Sequence, residues 1–151
     1  MAPVKQKAPS RSQRTPVNGF VHTRTRNQTE LAEDYVEMVD DLIREKGEAR
    51  TVDLAERLGV SHVTVSKAVG RLREAGLLIS EPYRSIFLTE AGRRMAHQSR
   101  ERHQLVLDFL LALGVPRETA TLDAEGIEHH VSPATLDAMR EIARRGLAAE
   151  C

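Results

Sequence analysis

Thiol chemistry has almost nothing to work with in this chain. Its single cysteine, Cys151, is the last residue, with no partner for a bridge and no neighbours around which to build a site. Tryptophan is absent and aromatic residues make up only 3% of the 151 positions. Sheet-dominated domains draw on aromatic and β-branched side chains, so a mostly α fold is expected. No apolar run approaches the length of a membrane span, and the N-terminal stretch lacks the apolar middle of a secretory signal. These absences lead to an expected cytoplasmic location and no membrane partner. Formal net charge is zero, so only the distribution of charge can speak for a partner.

That distribution is uneven. Residues 1–28 carry Lys5, Lys7, Arg11, Arg14, Arg24 and Arg26 without an acid, together with Pro3, Pro9 and Pro16 and scattered Ser, Thr and Asn. This composition predicts a disordered basic arm, either simply solvated or holding phosphate backbone non-specifically. The end of the chain is acidic instead. With 40% hydrophobic residues, the remainder is long enough to bury a real interior without disulfides.

Apolar periodicity predicts a first helix from about Glu30 to Lys46, striped by Leu31, Tyr35, Met38, Val39, Leu42 and Ile43 and stopped by Gly47. A short helix over 52–58 follows, then the turn Gly59-Val60-Ser61 and a helix to Arg73 or Glu74 that Ser61 caps. Leu77 to Ser80 and Ser85 to Leu88 read as short strands joined by Glu81-Pro-Tyr-Arg84. From Thr89 onward only helices are expected: one to about Leu113, one from Pro116 or Arg117 through His129, and one from about Ala134 to Arg145 behind Ser132-Pro133. The implied division is an arm (1–28), a winged helix-turn-helix (29–90) and an all-helical domain (91–151).

The segment from Asp53 to Leu72 has helix-turn-helix spacing. Leu54, Ala55 and Leu58 pack one helix, glycine permits the turn, and Val60 fills the angle before the second helix begins. Such a second helix enters the major groove of double-stranded DNA N-terminus first, so the residues of its opening turns are the candidate readers. Lys67 suits a base edge and Val63 a thymine methyl, with His62 exposed beside them. The hydroxyls of Ser61, Thr64 and Ser66 suit phosphate oxygens, and Arg71, one turn on, meets backbone or solvent. Tyr83 and Arg84 at the wing tip either grip phosphate or, for the tyrosine, staple the hairpin. A winged domain used only for protein contacts is the alternative.

Glu125, Glu128 and His129 fall at i, i+3 and i+4, one face of a helix. Oxygen-rich ligands with one or two imidazoles suit a hard divalent cation such as Mn²⁺, where thiolates would have pointed to zinc or an iron–sulfur cluster. One turn rarely completes a site. Asp34 and Glu37 lie on the margin of the first helix's apolar stripe, and His103 precedes Val106, Leu107 and Leu110 on the core side of the long helix. Each has a plainer explanation: an acidic first turn for Asp34 and Glu37, a hydrogen-bonded core imidazole for His103, a solvated face for the cluster. Together they would bury several acids unpaired, at several kcal/mol each, which a shared dication would offset. His130 points roughly a hundred degrees away from His129.

These stretches, Asp34-Tyr-Val-Glu37, Ala49 to Leu77, Arg100-Glu-Arg-His103 and Asp123-Ala-Glu-Gly-Ile-Glu-His-His130, resemble the diphtheria-toxin-repressor family of metal-dependent regulators, in particular its short manganese-responsive branch. The resemblance covers Glu30 to about Arg145. It implies a homodimer joined through the second domain and two Mn²⁺ ions per subunit. Asp34, Glu37, Glu125, Glu128 and His129 would surround one ion, and His103 with Glu125 and Glu128 the other. Iron-responsive relatives tend to carry Met and Cys at the positions of Asp34 and Glu125, so two carboxylates shift the preference toward Mn²⁺, with Fe²⁺ and other divalent ions still able to bind. The extra SH3-like domain of longer relatives is expected to be missing.

The expected function is an Mn²⁺-responsive repressor of manganese uptake genes. A small metallohydrolase is the runner-up. It would need a positioned base, yet no His-Glu-x-x-His occurs and no Ser or Cys stands beside a candidate base. No catalytic residue and no small-molecule substrate are therefore assigned. A third reading is a winged regulator that senses an organic ligand.

Overall fold

The computed structural model describes residues 16–146, with side chains from residue 27 onward. Cys151 and residues 1–15 of the expected arm lie outside the described residues. Helix α1 (Pro16–Lys46), α2 (Thr51–Leu58) and α3 (His62–Glu74) precede two short strands, β1 (Leu78–Ile79) and β2 (Phe87–Leu88); α4 (Glu90–Ala112), α5 (Arg117–Ile127) and α6 (Pro133–Arg145) complete the order.

The start of α1 corrects the expectation. Residues 16–28, taken as part of a disordered arm, are helical, so the helix begins well before Glu30. The segment has no apolar stripe to announce it. Pro16 at the first position needs no N–H partner there, and a well-packed helix downstream supplies the nucleus onto which polar residues add at little cost. Within α1, Tyr35, Val36, Val39 and Leu42 are buried, whereas Leu31 is half exposed. Val36 takes the place expected of Leu31.

Gly59 ends α2 in the left-handed conformation (φ 64°), open to glycine without strain. Ser61 caps α3 by accepting from the Thr64 N–H at 3.2 Å. Strands β1 and β2 pair antiparallel, Leu78 with Leu88 and Ile79 with Phe87. The inner pair is buried and the outer pair is exposed, as the two-residue alternation of a strand requires. An isolated bridge from Ala49 to Ile86 ties the wing to the residue run before α2.

Two apolar clusters form, one joining α1, α2, α3 and the wing, the other joining α4, α5 and α6. Helix α4 belongs to both: Ala96 sits in the first, and Val106, Leu107 and Leu110 in the second. It is the rigid strut between the winged head and the helical domain. Thr89 caps it by accepting from the Gly92 N–H at 3.0 Å. Gly92 itself packs so closely on the wing that a Cβ there would stand 2.1 Å from the Leu77 carbonyl oxygen.

Candidate metal centre and nucleic-acid interface

Three elements meet at one pocket. Helix α1 brings Glu33, Asp34 and Glu37; α4 brings Arg102 and His103; the end of α5 brings Glu125, Glu128 and His129. The helix α5 stops at Ile127, with Glu128 as its C-terminal cap and His129 in the following turn, so the expected continuous helix through His129 is shortened. Glu128 keeps helical dihedrals and its N–H still bonds to the Ala124 carbonyl, which is why the one-face spacing survives. The negative end of the helix also faces the pocket, a favourable place for a cation and an unfavourable one for carboxylates.

Glu128 is the hub. It is 3% exposed, and its two oxygens reach different imidazoles: Oε2 lies 2.7 Å from His103 Nδ1, and Oε1 lies 3.3 Å from His129 Nε2. Glu125 Oε1 stands 3.7 Å from the same His103 nitrogen. Ligand atoms of His103, Glu125 and Glu128 all fall within 4.8 Å of one another. Asp34 Oδ1 approaches His129 Nε2 at 3.5 Å. Glu37 closes no ion pair among the described residues, but its charge is felt by both Asp34 and Glu128.

The electrostatics are those of an anionic pocket short of positive charge. Burial pushes the Glu128 carboxyl up to about 8; His129 and Arg102 pull it down, and Glu125 and Glu37 push it further up. Asp34 is raised by burial as well, with Glu30, Glu37 and Glu125 adding to the shift and His129 opposing it. For His129, burial favours the neutral ring, but a hydrogen bond to Glu33 and the charges of Glu128 and Asp34 outweigh it and raise the pKa. Glu128 Oε2 is buried without a hydrogen bond despite its short distance to His103. Two ligand atoms aimed at a common point rather than at each other would be placed this way. Four carboxylates and two imidazoles form a donor set fitted to a divalent cation of hard to intermediate character.

Every metal candidate expected from the sequence lies at this pocket. Glu33 and Arg102 were missed. Glu33 is 8% exposed, accepts from or shares a proton with His129 Nδ1 at 2.8 Å, and pairs with Arg102 Nη2 at 2.6 Å. Its signal was faint: a third acid beside Asp34, one turn before Glu37. His130 and Glu30 stand 3.8 Å apart at the half-exposed rim.

On the other face of the head, Ser61, His62, Val63, Thr64, Ser66, Lys67 and Arg71 are all exposed. Val63 is 63% exposed, an apolar side chain presented to solvent on an otherwise polar surface. The Ser61 and Thr64 hydroxyls are 3.0 Å apart and already engaged with each other. Arg71 lines a separate apolar groove with Leu31, Ala68 and Leu72. Arg73, not picked out from the sequence, joins Arg50, His62, Ser66, Tyr83 and Arg84 around a cleft of about 570 Å³ between α3 and the wing. Helical spacing would have found it, since 62, 66 and 73 share a face. Tyr83 holds φ at 62°, a strained value for an aromatic residue, and is fully exposed at the wing tip. Among the residues whose side chains are described, 27–146, Lys67, Arg71 and Arg73 stand outside every ion pair, as does Arg117. The unmatched positive charge is concentrated on α3.

A winged reading head fused to a helical domain, with a carboxylate–imidazole pocket at their junction, defines a metal-dependent DNA-binding regulator. Residues 27–86 match the family model for the iron dependent repressor N-terminal DNA binding domain, and residues 89–145 match that for the iron dependent repressor metal binding and dimerisation domain. The chain belongs to this family, the diphtheria-toxin-repressor family of its motifs.

It is 56% identical over 124 residues to the transcriptional regulator MntR of Escherichia coli O6:H1, covering 82% of this chain and 80% of that one. It is 40% identical over 114 residues to the HTH-type transcriptional regulator MntR of Geobacillus kaustophilus, covering 76% and 81%. A manganese-dependent transcriptional repressor solved in complex with manganese superposes with a TM-score of 0.64 at 31% identity, over 75% of this chain and 52% of that one. The chain thus spans about half the length of that repressor. No helix among the described residues is long and apolar enough to cross a membrane.

Proposed function

We propose that this chain is a cytoplasmic, homodimeric, Mn²⁺-activated repressor that binds operator DNA of manganese uptake genes. One observation carries the metal reading: the buried Glu128 carboxylate reaching toward His103 with one oxygen and His129 with the other. A bound dication would supply the positive charge that this buried cluster lacks. Asp34, Glu37, Glu128 and His129 would hold one ion and His103, Glu125 and Glu128 a second, with Glu125 available to both. Carboxylates at Asp34 and Glu125 favour Mn²⁺ over softer competitors, whose tighter binding under the general affinity order need not give the same response.

Asp34 and Glu37 belong to the head, whereas Glu125, Glu128 and His129 belong to the helical domain. Their convergence links occupancy of the pocket to the placement of α3. In the dimer that placement would set the spacing of two recognition helices on successive major grooves. Lys67 and Val63 read base edges; Ser61, His62, Thr64, Ser66, Arg71 and the wing residues Tyr83 and Arg84 contact backbone.

Titrating Mn²⁺, Fe²⁺ and Zn²⁺ against the full chain and labelled promoter DNA at fixed salt tests this reading. Mn²⁺ should drive tight binding, and Glu125→Ala should abolish the response while leaving the dimer intact. Retention of the response in that variant would remove the site; tight binding without any metal would remove the regulation.

A further inference from the structure

His129 is held by more than the pocket it faces. Its side chain is 4% exposed, its Nδ1 lies 2.8 Å from Glu33 Oε2, and its Nε2 alone faces Asp34 and Glu128. Glu33 in turn is anchored by Arg102, whose Nη2 sits 2.6 Å from Oε1 in an ion pair not aligned as a hydrogen bond. Three elements therefore contribute to one chain of contacts: Arg102 from α4, Glu33 from α1 and His129 from the turn after α5. His103 presents the opposite ring nitrogen, Nδ1, to Glu125 and Glu128. The two imidazoles are thus oriented differently, and only His129 has a buried carboxylate behind it.

A carboxylate buried in the middle of a helix costs several kcal/mol unless it is paired. Glu33 gains nothing from the helix dipole, being far from either end of α1. Its position is explained by what it does to the ring. A carboxylate at Nδ1 keeps the proton on that nitrogen, leaves the Nε2 lone pair directed into the pocket, and makes Nε2 a stronger donor.

We propose that Glu33, held by Arg102, is a positioning residue that fixes the Nδ1–H tautomer and the ring orientation of His129, so that Nε2 is the nitrogen offered to a divalent cation. The proposal rests on the metal reading above for its consequence, but not for the tautomer itself.

The test uses the full chain and two readouts. Long-range ¹H–¹⁵N spectra of the metal-free protein, recorded where the imidazole is neutral, should show His129 protonated at Nδ1; in Glu33→Ala the Nε2–H form should appear. Calorimetric titration with MnCl₂ should give affinity weakened by about 10–100-fold in Glu33→Ala. Glu33→Gln should recover part of the loss, because its amide oxygen still accepts from Nδ1–H without carrying charge. If Glu33→Ala does not fold, Glu33→Gln and Arg102→Lys serve, the latter keeping the cation but not the guanidinium geometry. A tautomer and an affinity unchanged across these variants would overturn the proposal. An Nδ1–H tautomer in a parent chain that binds no Mn²⁺ would support the orientation and sink the metal reading instead.

Discussion

Glu128 shows how one side chain can be costly and indispensable together. With its carboxyl pushed up to about 8 by burial, Glu128 in the metal-free protein is shifted toward the neutral form, a state that an amide resembles in shape and charge. Glu128→Gln should therefore leave the metal-free midpoint of thermal unfolding within a few degrees of the parent's, while Mn²⁺-stimulated operator binding falls by about 100-fold or more, the upper range for perturbed metal sites. A response that survives the change would show that the buried oxygens are not ligands. At the DNA face the residue-scale contrast is between Lys67 and Arg73. Lys67→Ala should weaken operator binding more than non-specific binding, by roughly 1–3 kcal/mol. Arg73→Ala should weaken both alike and reduce the salt slope by about 1. Competition binding at two salt concentrations separates them, and equal losses for Lys67→Ala would reassign it to phosphate.

Among the elements, α4 depends on one close approach. A Cβ at position 92 would meet the Leu77 carbonyl oxygen at 2.1 Å, and backbone cannot yield as a flexible side chain can. Gly92→Ala should destabilise the protein by at least the roughly 1–3 kcal/mol typical of overpacking, read from denaturant midpoints. It should also shift the wing against α4 and so weaken DNA binding even where the protein is folded. An unaltered midpoint would mean that α4 can slide off the wing without loss.

The same scale explains what could be read from the chain. Helices with a stripe and a cap, such as α3 behind Ser61 and α6 behind Ser132, were legible because local chemistry and burial agree there. The start of α1 was not, since residues 16–28 have no apolar period and extend a helix stabilised elsewhere. The end of α5 was misplaced because Glu128 and His129 keep helical spacing with Glu125 although one caps the helix and the other lies in the turn beyond it. In the pocket, Asp34, Glu37, His103, Glu125, Glu128 and His129 announced themselves by type and spacing. Glu33 and Arg102 did not, because a buried acid's partner from another helix, 69 positions on, leaves no local period. Arg73 was legible by spacing alone, since it shares a helical face with His62 and Ser66 at the cleft beside the wing.

For the whole molecule, the decisive fact is that α1 serves both the pocket and the winged head. Its acids enter the pocket, and its apolar face packs the winged head with α3 upon it. Arg100 bonds Asp40, Asp41 and the Glu37 carbonyl, tying α1 to α4 at the level of the pocket. A ligand that binds the folded, assembled arrangement must stabilise it, by about 2.7 kcal/mol at a free concentration a hundred times its dissociation constant, so Mn²⁺ should raise the unfolding midpoint. That effect alone would not show regulation, because any bound ion does the same. Reciprocity does. If Mn²⁺ strengthens operator binding by some factor, operator DNA must strengthen Mn²⁺ binding by that same factor, since both follow from one coupling free energy. Measuring Mn²⁺ affinity with and without operator duplex, and duplex affinity with and without Mn²⁺, should therefore return equal ratios, typically between about 5 and 150. The Glu125→Ala protein should return a ratio of one in both directions. Equal ratios near one in the parent would mean that the pocket binds its ion without any influence on the head, and the convergence of α1 with α5 would then serve stability alone.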